Sequence, residues 1–98
     1  MSRSFKITSK GQTRARKEGA GVRKWLTGRL LRPVRETLLI PMAKSPSKAW
    51  AANELYMASI RYLKNTKGMD IRPGDYVSLK EQLGYMIYLK NKGYIREV

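Results

Sequence analysis

The chain has 98 residues, with 21 Lys and Arg against 7 Asp and Glu, which gives a formal net charge of +14. It contains neither Cys nor His, which excludes disulfides, zinc sites built from those residues and catalysis by a nucleophile paired with histidine. We expect no metal and no cofactor. A chain this basic is expected to bind a polyanion: nucleic acid, an anionic membrane or an acidic protein surface.

The positive charge is concentrated in the first half of the chain. Residues 1–48 hold 13 Lys and Arg against two Glu, whereas residues 49–98 hold 8 Lys and Arg against 5 Asp and Glu. The first half is therefore the better candidate for contact with phosphate groups. Its candidate nucleic-acid-binding residues are Arg14, Arg16, Lys17, Arg23, Lys24, Arg29 and Arg32.

Residues 1–21 are predicted to form an extended basic arm. Ser and Gly interrupt any helical or strand period there, and few apolar side chains are available to pack against a core. Residues 1–17 also have the composition of an organellar transit peptide, so this alternative stays open.

The longest uncharged runs are too short to cross a bilayer, and the start of the chain lacks the apolar region of a secretory signal. We therefore expect no membrane span and an intracellular location. The cytoplasm, the nucleoid and an organelle matrix are not distinguished.

A short basic helix is predicted over residues 22–32, with Val22, Leu26 and Leu30 on one face and Pro33 beyond its end. Its cations are suited to phosphate or a lipid surface. The helix is equally suited to docking on a core with its charges in solvent. Residues 34–43 are predicted to be a second short helix or a buried connector that ends at Pro41.

The change in charge and composition near residues 44–47 divides the chain into two predicted segments. Residues 1–44 form a basic N-terminal arm with one or two short helices, and residues 45–98 form a small helical domain. Within the second segment, helical spacing predicts a helix over residues 47–66, with Pro46 at its first position and Gly68 after its end. Pro73 and Gly74 then predict a type II turn.

The last 21 residues predict a capped helix followed by a short strand. Ser78 and Glu81 have the spacing of a capping box. Gly93 stands where a left-handed residue ends a helix, and a strand is predicted after it. The stripe expected to be buried consists of Leu79, Leu83, Met86 and Ile87.

Lys80, Tyr88 and Lys92 lie away from that apolar stripe and are further candidate nucleic-acid-binding residues. Cations neutralise phosphates, and a tyrosine face can stack on an exposed base. Catalysis has little support, because the acid pairs Asp70/Asp75 and Glu54/Glu81 have no motif around them. We expect that the protein is not an enzyme.

Residues 77–83 and 87–98 resemble the recognition helix and following strand of winged-helix proteins, through the sequence Val-Ser-Leu-Lys-Glu-Gln-Leu and the later Tyr-Leu-Lys-Asn-Lys-Gly-Tyr-Ile. The resemblance implies that residues 47–66 are the first helix of such a domain. It implies a nucleic-acid-binding domain that is mainly α with a small β element, preceded by the extended basic arm.

These observations favour a small non-enzymatic nucleic-acid-binding protein. The basic arm would contact phosphates, and the C-terminal helix would contact duplex or structured RNA. One alternative is a structural ribonucleoprotein component of the ribosomal type. Another is a viral or accessory factor that docks on an acidic protein surface through Trp25, Trp50 and Tyr56. DNA and RNA are not distinguished, because phosphate contacts carry no sequence information.

Overall fold

The computed structural model describes residues 3–26, 35–67 and 79–98, with side chains described for residues 3–17, 36–65 and 79–98. The described residues are mainly helical and include a small antiparallel sheet, which confirms the predicted mainly α fold with a small β element. In chain order the elements are β1 (Ser4–Ile7), α1 (Ser9–Leu26), a 3₁₀ helix (Arg35–Leu38), α2 (Leu39–Lys44), β2 (Trp50–Ala51), α3 (Ala52–Lys67), α4 (Leu79–Asn91) and β3 (Ile95–Glu97).

The strand β1 lies at the centre of the sheet, between β2 and β3, and is antiparallel to both. Its sequence alternates polar and apolar residues, so that Phe5 and Ile7 are buried while Ser4 and Lys6 point to the other face. The prediction of an extended arm is therefore wrong for Ser4–Ile7, which form the central strand of the sheet. Pairing with two distant strands orders residues that carry little local structural signal.

The helix α1 runs without a break from Ser9 to Leu26. The sequence predicts instead an extended arm up to residue 21 and a separate helix from residue 22. Thr8 caps α1, because its hydroxyl accepts the Gly11 N–H at 3.1 Å. Ala15 is buried against the core. The glycines that argue against a helix cost about 1 kcal/mol each relative to Ala, and tertiary packing outweighs that cost. Residues 27–34, which include the end of the predicted 22–32 helix, lie outside the described residues.

The segment after residue 34 is short, helical and buried. Leu38, Leu39 and Met42 have almost no exposed surface. The prediction that Pro41 ends this segment is wrong, because Pro41 is the third residue of α2. In the first turn of a helix a backbone N–H has no partner within the helix, so proline is tolerated there.

The helix predicted over residues 47–66 begins later than expected, at Ala52, and runs to Lys67. Residues 50–51 instead pair with β1, with Trp50 opposite Phe5 and Ala51 opposite Ser4. The predicted start is therefore wrong and the predicted end is confirmed within one residue. The Pro73–Gly74 turn lies outside the described residues.

The helix α4 is confirmed, but the face predicted to be buried is correct only in part: Met86 is buried as predicted and Leu83 is half-buried. Gln82, Met86 and Leu89 are buried, whereas Leu79 is 70% exposed and Ile87 is 37% exposed. Two overlapping stripes satisfy helical spacing in this sequence, and packing against the core selects the one that contains Leu89. Ser78 of the predicted capping box lies outside the described residues.

The end of α4 matches the prediction from sequence. Gly93 has φ +79°, the left-handed conformation that glycine adopts at low cost, and its N–H donates to the carbonyl of Lys90 at 2.9 Å. The chain then enters β3, which pairs with β1 and places Ile95 opposite Ile7. The predicted C-terminal strand is therefore confirmed.

The main core lies between the sheet and the helices, and it draws residues from both sides of the predicted division at residue 44. It consists of Phe5, Ile7, Ala15, Leu38, Leu39, Met42, Trp50, Leu55, Met86, Leu89 and Ile95. A second cluster joins Ile40 to residues of α3. Removal of the extended basic segment, residues 1–21, would therefore remove the central strand and part of the core as well as positive charge.

None of the helices in the described ranges is both long enough and apolar enough to span a membrane.

Candidate functional site

Two cations stand directly opposite each other on the face of the sheet that points away from Phe5 and Ile7. In the ladder of β1 and β3, Lys6 is the partner of Arg96. Hydrogen bonds on both sides fix this register, from the Thr8 N–H to the Tyr94 carbonyl at 3.0 Å and from the Val98 N–H to the Ser4 carbonyl at 2.9 Å. Opposed residues in such a ladder have Cα atoms about 5 Å apart.

Lys6 and Arg96 form no ion pair with any carboxylate in the described part of the chain. Like charges at directly opposed positions destabilise a sheet, typically by a few tenths of a kcal/mol or more. Folding therefore accepts a local electrostatic cost at this pair. An anion bound between the two side chains would remove that cost.

A third cation and an aromatic ring lie at the end of the same ladder. The Nζ of Lys10 is 5.5 Å from the centroid of the half-buried Tyr94 ring, a cation–π contact. The Lys10 stem also passes beside Gly93, with Cδ 3.7 Å from the position that a Cβ would take there. We call Lys6, Lys10, Tyr94 and Arg96 the β1–β3 basic patch.

Two carboxylates of the described residues are engaged by cations outside the patch. Glu97 accepts from the guanidinium of Arg3 at 2.8 Å and from Lys90 at 3.0 Å, and these contacts lower the pKa of Glu97 from 4.5 to about 2. Glu54 pairs with Lys48 at 2.7 Å, and that hydrogen bond lowers the pKa of Glu54. Both groups stay ionised at neutral pH, yet their charge is held locally and leaves the patch positive.

A separate polar cluster surrounds Glu36, which is only 9% exposed. Its carboxylate pairs with the guanidinium of Arg14 and accepts a long hydrogen bond of 3.3 Å from the hydroxyl of Tyr88. The Nζ of Lys92 lies 5.6 Å from the centroid of the Tyr88 ring. The structure thus brings together three of the predicted site residues, Arg14, Tyr88 and Lys92, beside an acid that was not among the predicted site residues.

The remaining predicted site residues are dispersed. Arg16 and Lys17 are exposed on α1, and Lys80 is exposed in the first turn of α4. Arg23 and Lys24 belong to α1, but their side chains lie outside the described residues, as do Arg29 and Arg32 entirely.

Two of the three aromatic anchors expected for docking on an acidic protein surface are buried in the structure. Trp50 is 6% exposed and Tyr56 is 1% exposed, so both belong to the core and that expectation is wrong for them. The Trp25 side chain lies outside the described residues.

The β1–β3 basic patch was not predicted from the sequence. The alternation Ser-Phe-Lys-Ile at residues 4–7 and Tyr-Ile-Arg-Glu at residues 94–97 is the signal that could have located it. Pairing these two alternating segments places Lys6 opposite Arg96. Four residues in a polar context are a weak signal, and only the pairing makes them meaningful.

Comparison with models of protein families, with curated proteins and with solved structures found no match for this chain.

Proposed function

We propose that this protein is a small non-enzymatic nucleic-acid-binding protein that contacts phosphate groups through the β1–β3 basic patch. The observation that supports this most directly is the opposed pair Lys6 and Arg96, which has no carboxylate partner among the described residues. Sequences usually avoid such pairs unless function requires them. The phosphate backbone of a nucleic acid supplies closely spaced negative charges that would neutralise this pair.

The neighbouring residues extend the patch in a way that suits a nucleic acid. Lys10 adds a third cation at the end of the ladder, and Tyr94 adds an aromatic ring beside it. Cations that neutralise phosphates combined with an aromatic surface are the usual composition of a site for a nucleic-acid strand. The exposed Arg16 and Lys17 on α1 are included in the proposal as further phosphate contacts.

The proposal gives α4 a second role, suggested by the resemblance to winged-helix proteins. In this role α4 contacts duplex or structured RNA through Lys80, with Tyr88 and Lys92 near the end of the helix. The Tyr88 hydroxyl already donates to Glu36, so its contribution would be stacking by the ring and not a polar contact. With a partner of this kind, we expect the protein to act inside the cell.

A structural ribonucleoprotein component is the alternative with a specific observation in its favour. Leu79 and Ile87 expose apolar surface on α4, at 70% and 37%. In an assembly, exposed apolar side chains of this kind are covered by a neighbouring protein. Phosphate contact through the β1–β3 basic patch would be the same in both cases.

The experiment is a salt titration of binding to duplex DNA and to structured RNA, with the wild type and Arg96→Gln compared. We expect the variant to bind more weakly. On duplex DNA the slope of log K against log salt should become shallower by about 0.9 for each phosphate that the variant no longer neutralises. Thermal stability should hold or rise, because the substitution removes one of two opposed charges.

The matched control is Lys48→Gln, which removes the same charge from a cation already paired with Glu54 and placed over Trp50. It should leave the salt slope nearly unchanged. Equal effects of the two variants would mean that only net charge matters and that the patch is not the contact surface. Failure of the wild type to bind either polymer at low salt would overturn the proposed function.

A further inference from the structure

A cleft of about 240 Å³ is lined by residues of α2 and α3. It shares no lining residue with the β1–β3 basic patch. Pro41 and Ala58 supply apolar atoms to the cleft, and polar side chains complete the lining: Lys44, Arg61, Tyr62 and Asn65. The lining residues that belong to α3 follow the spacing i, i+3, i+4, i+7, which places them on one helix face: Ala58, Arg61, Tyr62 and Asn65. The same helix buries Leu55, Ile60 and Leu63.

The lining of the cleft carries positive charge. Lys44 and Arg61 are both exposed, and neither forms an ion pair with a carboxylate in the described part of the chain. The described residues that line the cleft include no Asp or Glu. Two such cations in the lining of one cleft create a positive potential, which favours binding of a phosphate group there.

The cleft also contains an aromatic surface. The Tyr62 ring is half-buried, packs against the second core cluster and carries the Lys44 ammonium at 5.0 Å from its centroid. A flat base can stack on this ring if the exposed Lys44 side chain moves away from the ring and toward the phosphate of the same nucleotide. The amide of Asn65 can both donate and accept hydrogen bonds, as the edge of a base requires.

The size of the cleft limits what it can hold. Pockets that enclose whole small molecules are typically about 300–1,000 Å³, and this cleft is smaller. It therefore suits one part of a larger ligand. A single nucleotide unit that protrudes from a strand has the required combination of a flat base and an adjacent phosphate.

We propose that the α2–α3 cleft binds one unpaired nucleotide of a nucleic-acid strand, with the base against Tyr62 and the phosphate between Lys44 and Arg61. This proposal rests on the proposed function and adds to it a preference for strands with unpaired nucleotides. A fully paired blunt duplex cannot place a base in the cleft, since its bases are stacked within the helix.

The test compares binding of the full chain to a blunt duplex and to the same duplex with a single-stranded overhang, in DNA and in RNA. A fluorescent adenine analogue placed in the overhang reports stacking directly. We expect the overhang to raise affinity by about 5-fold to about 100-fold, the range expected for stacking of one base on an aromatic side chain. The fluorescence of the analogue should fall on binding.

Tyr62→Ala should abolish both the affinity gain and the fluorescence change, whereas Tyr62→Phe should retain them because the ring remains. Arg61→Ala should reduce the gain, and it tests the cleft with little effect on folding because Arg61 is exposed. Its matched control is Lys64→Ala, which removes an exposed cation of α3 that does not line the cleft. Lys64→Ala should leave the ratio of the two affinities unchanged.

Equal affinity for the blunt and overhanging duplexes would overturn the cleft proposal while leaving the proposed function intact. The same holds if Tyr62→Ala keeps the full gain, or if Arg61→Ala and Lys64→Ala lower the ratio equally. If the chain bound neither duplex, whether made of DNA or of RNA, the proposed function and the cleft proposal would both be overturned.

Discussion

The backbone of Gly11 in α1 lies against the carbonyl group of Tyr94, which immediately precedes β3. A Cβ at position 11 would lie 2.0 Å from the Tyr94 oxygen and 2.8 Å from Cγ1 of Ile7. This contact fixes the start of α1 against the ladder of β1 and β3. Glycine is required here because of the close approach, not because of an unusual backbone angle.

Gly11→Ala is expected to lower the free energy of unfolding by about 3 kcal/mol, the upper end of the range for an added methylene group in a packed site. Relief requires movement of the backbone, because the nearest atom is a carbonyl oxygen. Gly84→Ala in α4 is the control, since a Cβ there meets no atom of the described residues within 4 Å. It should stabilise the protein by about 0.5–1 kcal/mol. Urea denaturation of both variants measures the difference, and effects of the same sign would contradict the close approach.

Glu97 should make stability depend on pH in the acid range. Its pKa is lowered from 4.5 to about 2 by Arg3 and Lys90, so the folded state binds its proton less readily than the unfolded state. The contribution of Glu97 to stability is therefore complete above about pH 4.5 and disappears as pH falls toward 2.

In Glu97→Gln the thermal midpoint should be lower than in the wild type at neutral pH. The two midpoints should converge as pH falls from 4.5 to 2. Melting curves at several pH values measure this convergence. A constant difference across that range would show that removal of the charge is not the cause.

Two buried hydroxyl groups should respond to removal with opposite signs. The Oγ1 of Thr37 is buried without a hydrogen-bond partner among the described residues, whereas the hydroxyl of Ser59 donates to the Leu55 carbonyl at 2.9 Å. A buried polar group without a partner destabilises, so Thr37→Val should raise the free energy of unfolding by about 1 kcal/mol. Ser59→Ala should lower it by about 0.5–1.5 kcal/mol. Chemical denaturation checks both values, and a drop in stability in Thr37→Val would indicate that its hydroxyl has a partner.

The orientation of α4 is tested by Leu89→Ala and Leu79→Ala. Leu89 is fully buried, so its truncation should cost about 2–5 kcal/mol. Leu79 is 70% exposed, so the same truncation should change stability by no more than about 0.5 kcal/mol. If Leu79→Ala lowered the denaturation midpoint more than Leu89→Ala, the buried face of α4 would be the one predicted from the sequence.

Elements whose signals are local were the ones predicted well. The end of α3, the body of α4, the left-handed Gly93 and β3 each follow from capping, periodicity or glycine placement within a few residues. The strand β1 was missed because four residues gain their stability from partners far along the chain. The buried face of α4 was misjudged because both candidate stripes contain Met86, and only the surrounding core distinguishes them.

The candidate site was less predictable than the fold for the same reason. Arg14 and Tyr88 were selected as single residues, and no sequence pattern indicates that both contact Glu36. Lys6 and Arg96 acquire meaning only when the register of two strands is known. Composition predicted the sign of the charge, but not which cations lie opposite each other.

The central position of β1 has a consequence for the order of folding. Helix α3 can form from neighbouring residues, whereas β1 pairs with a strand nearly ninety positions later, as Ile7 does with Ile95. During synthesis on the ribosome, β1 emerges long before β3 exists, so its buried side chains must wait for their partners. Closure of the sheet is thus a late step with a high contact order, and we expect folding to be slower than in a helical bundle of equal length.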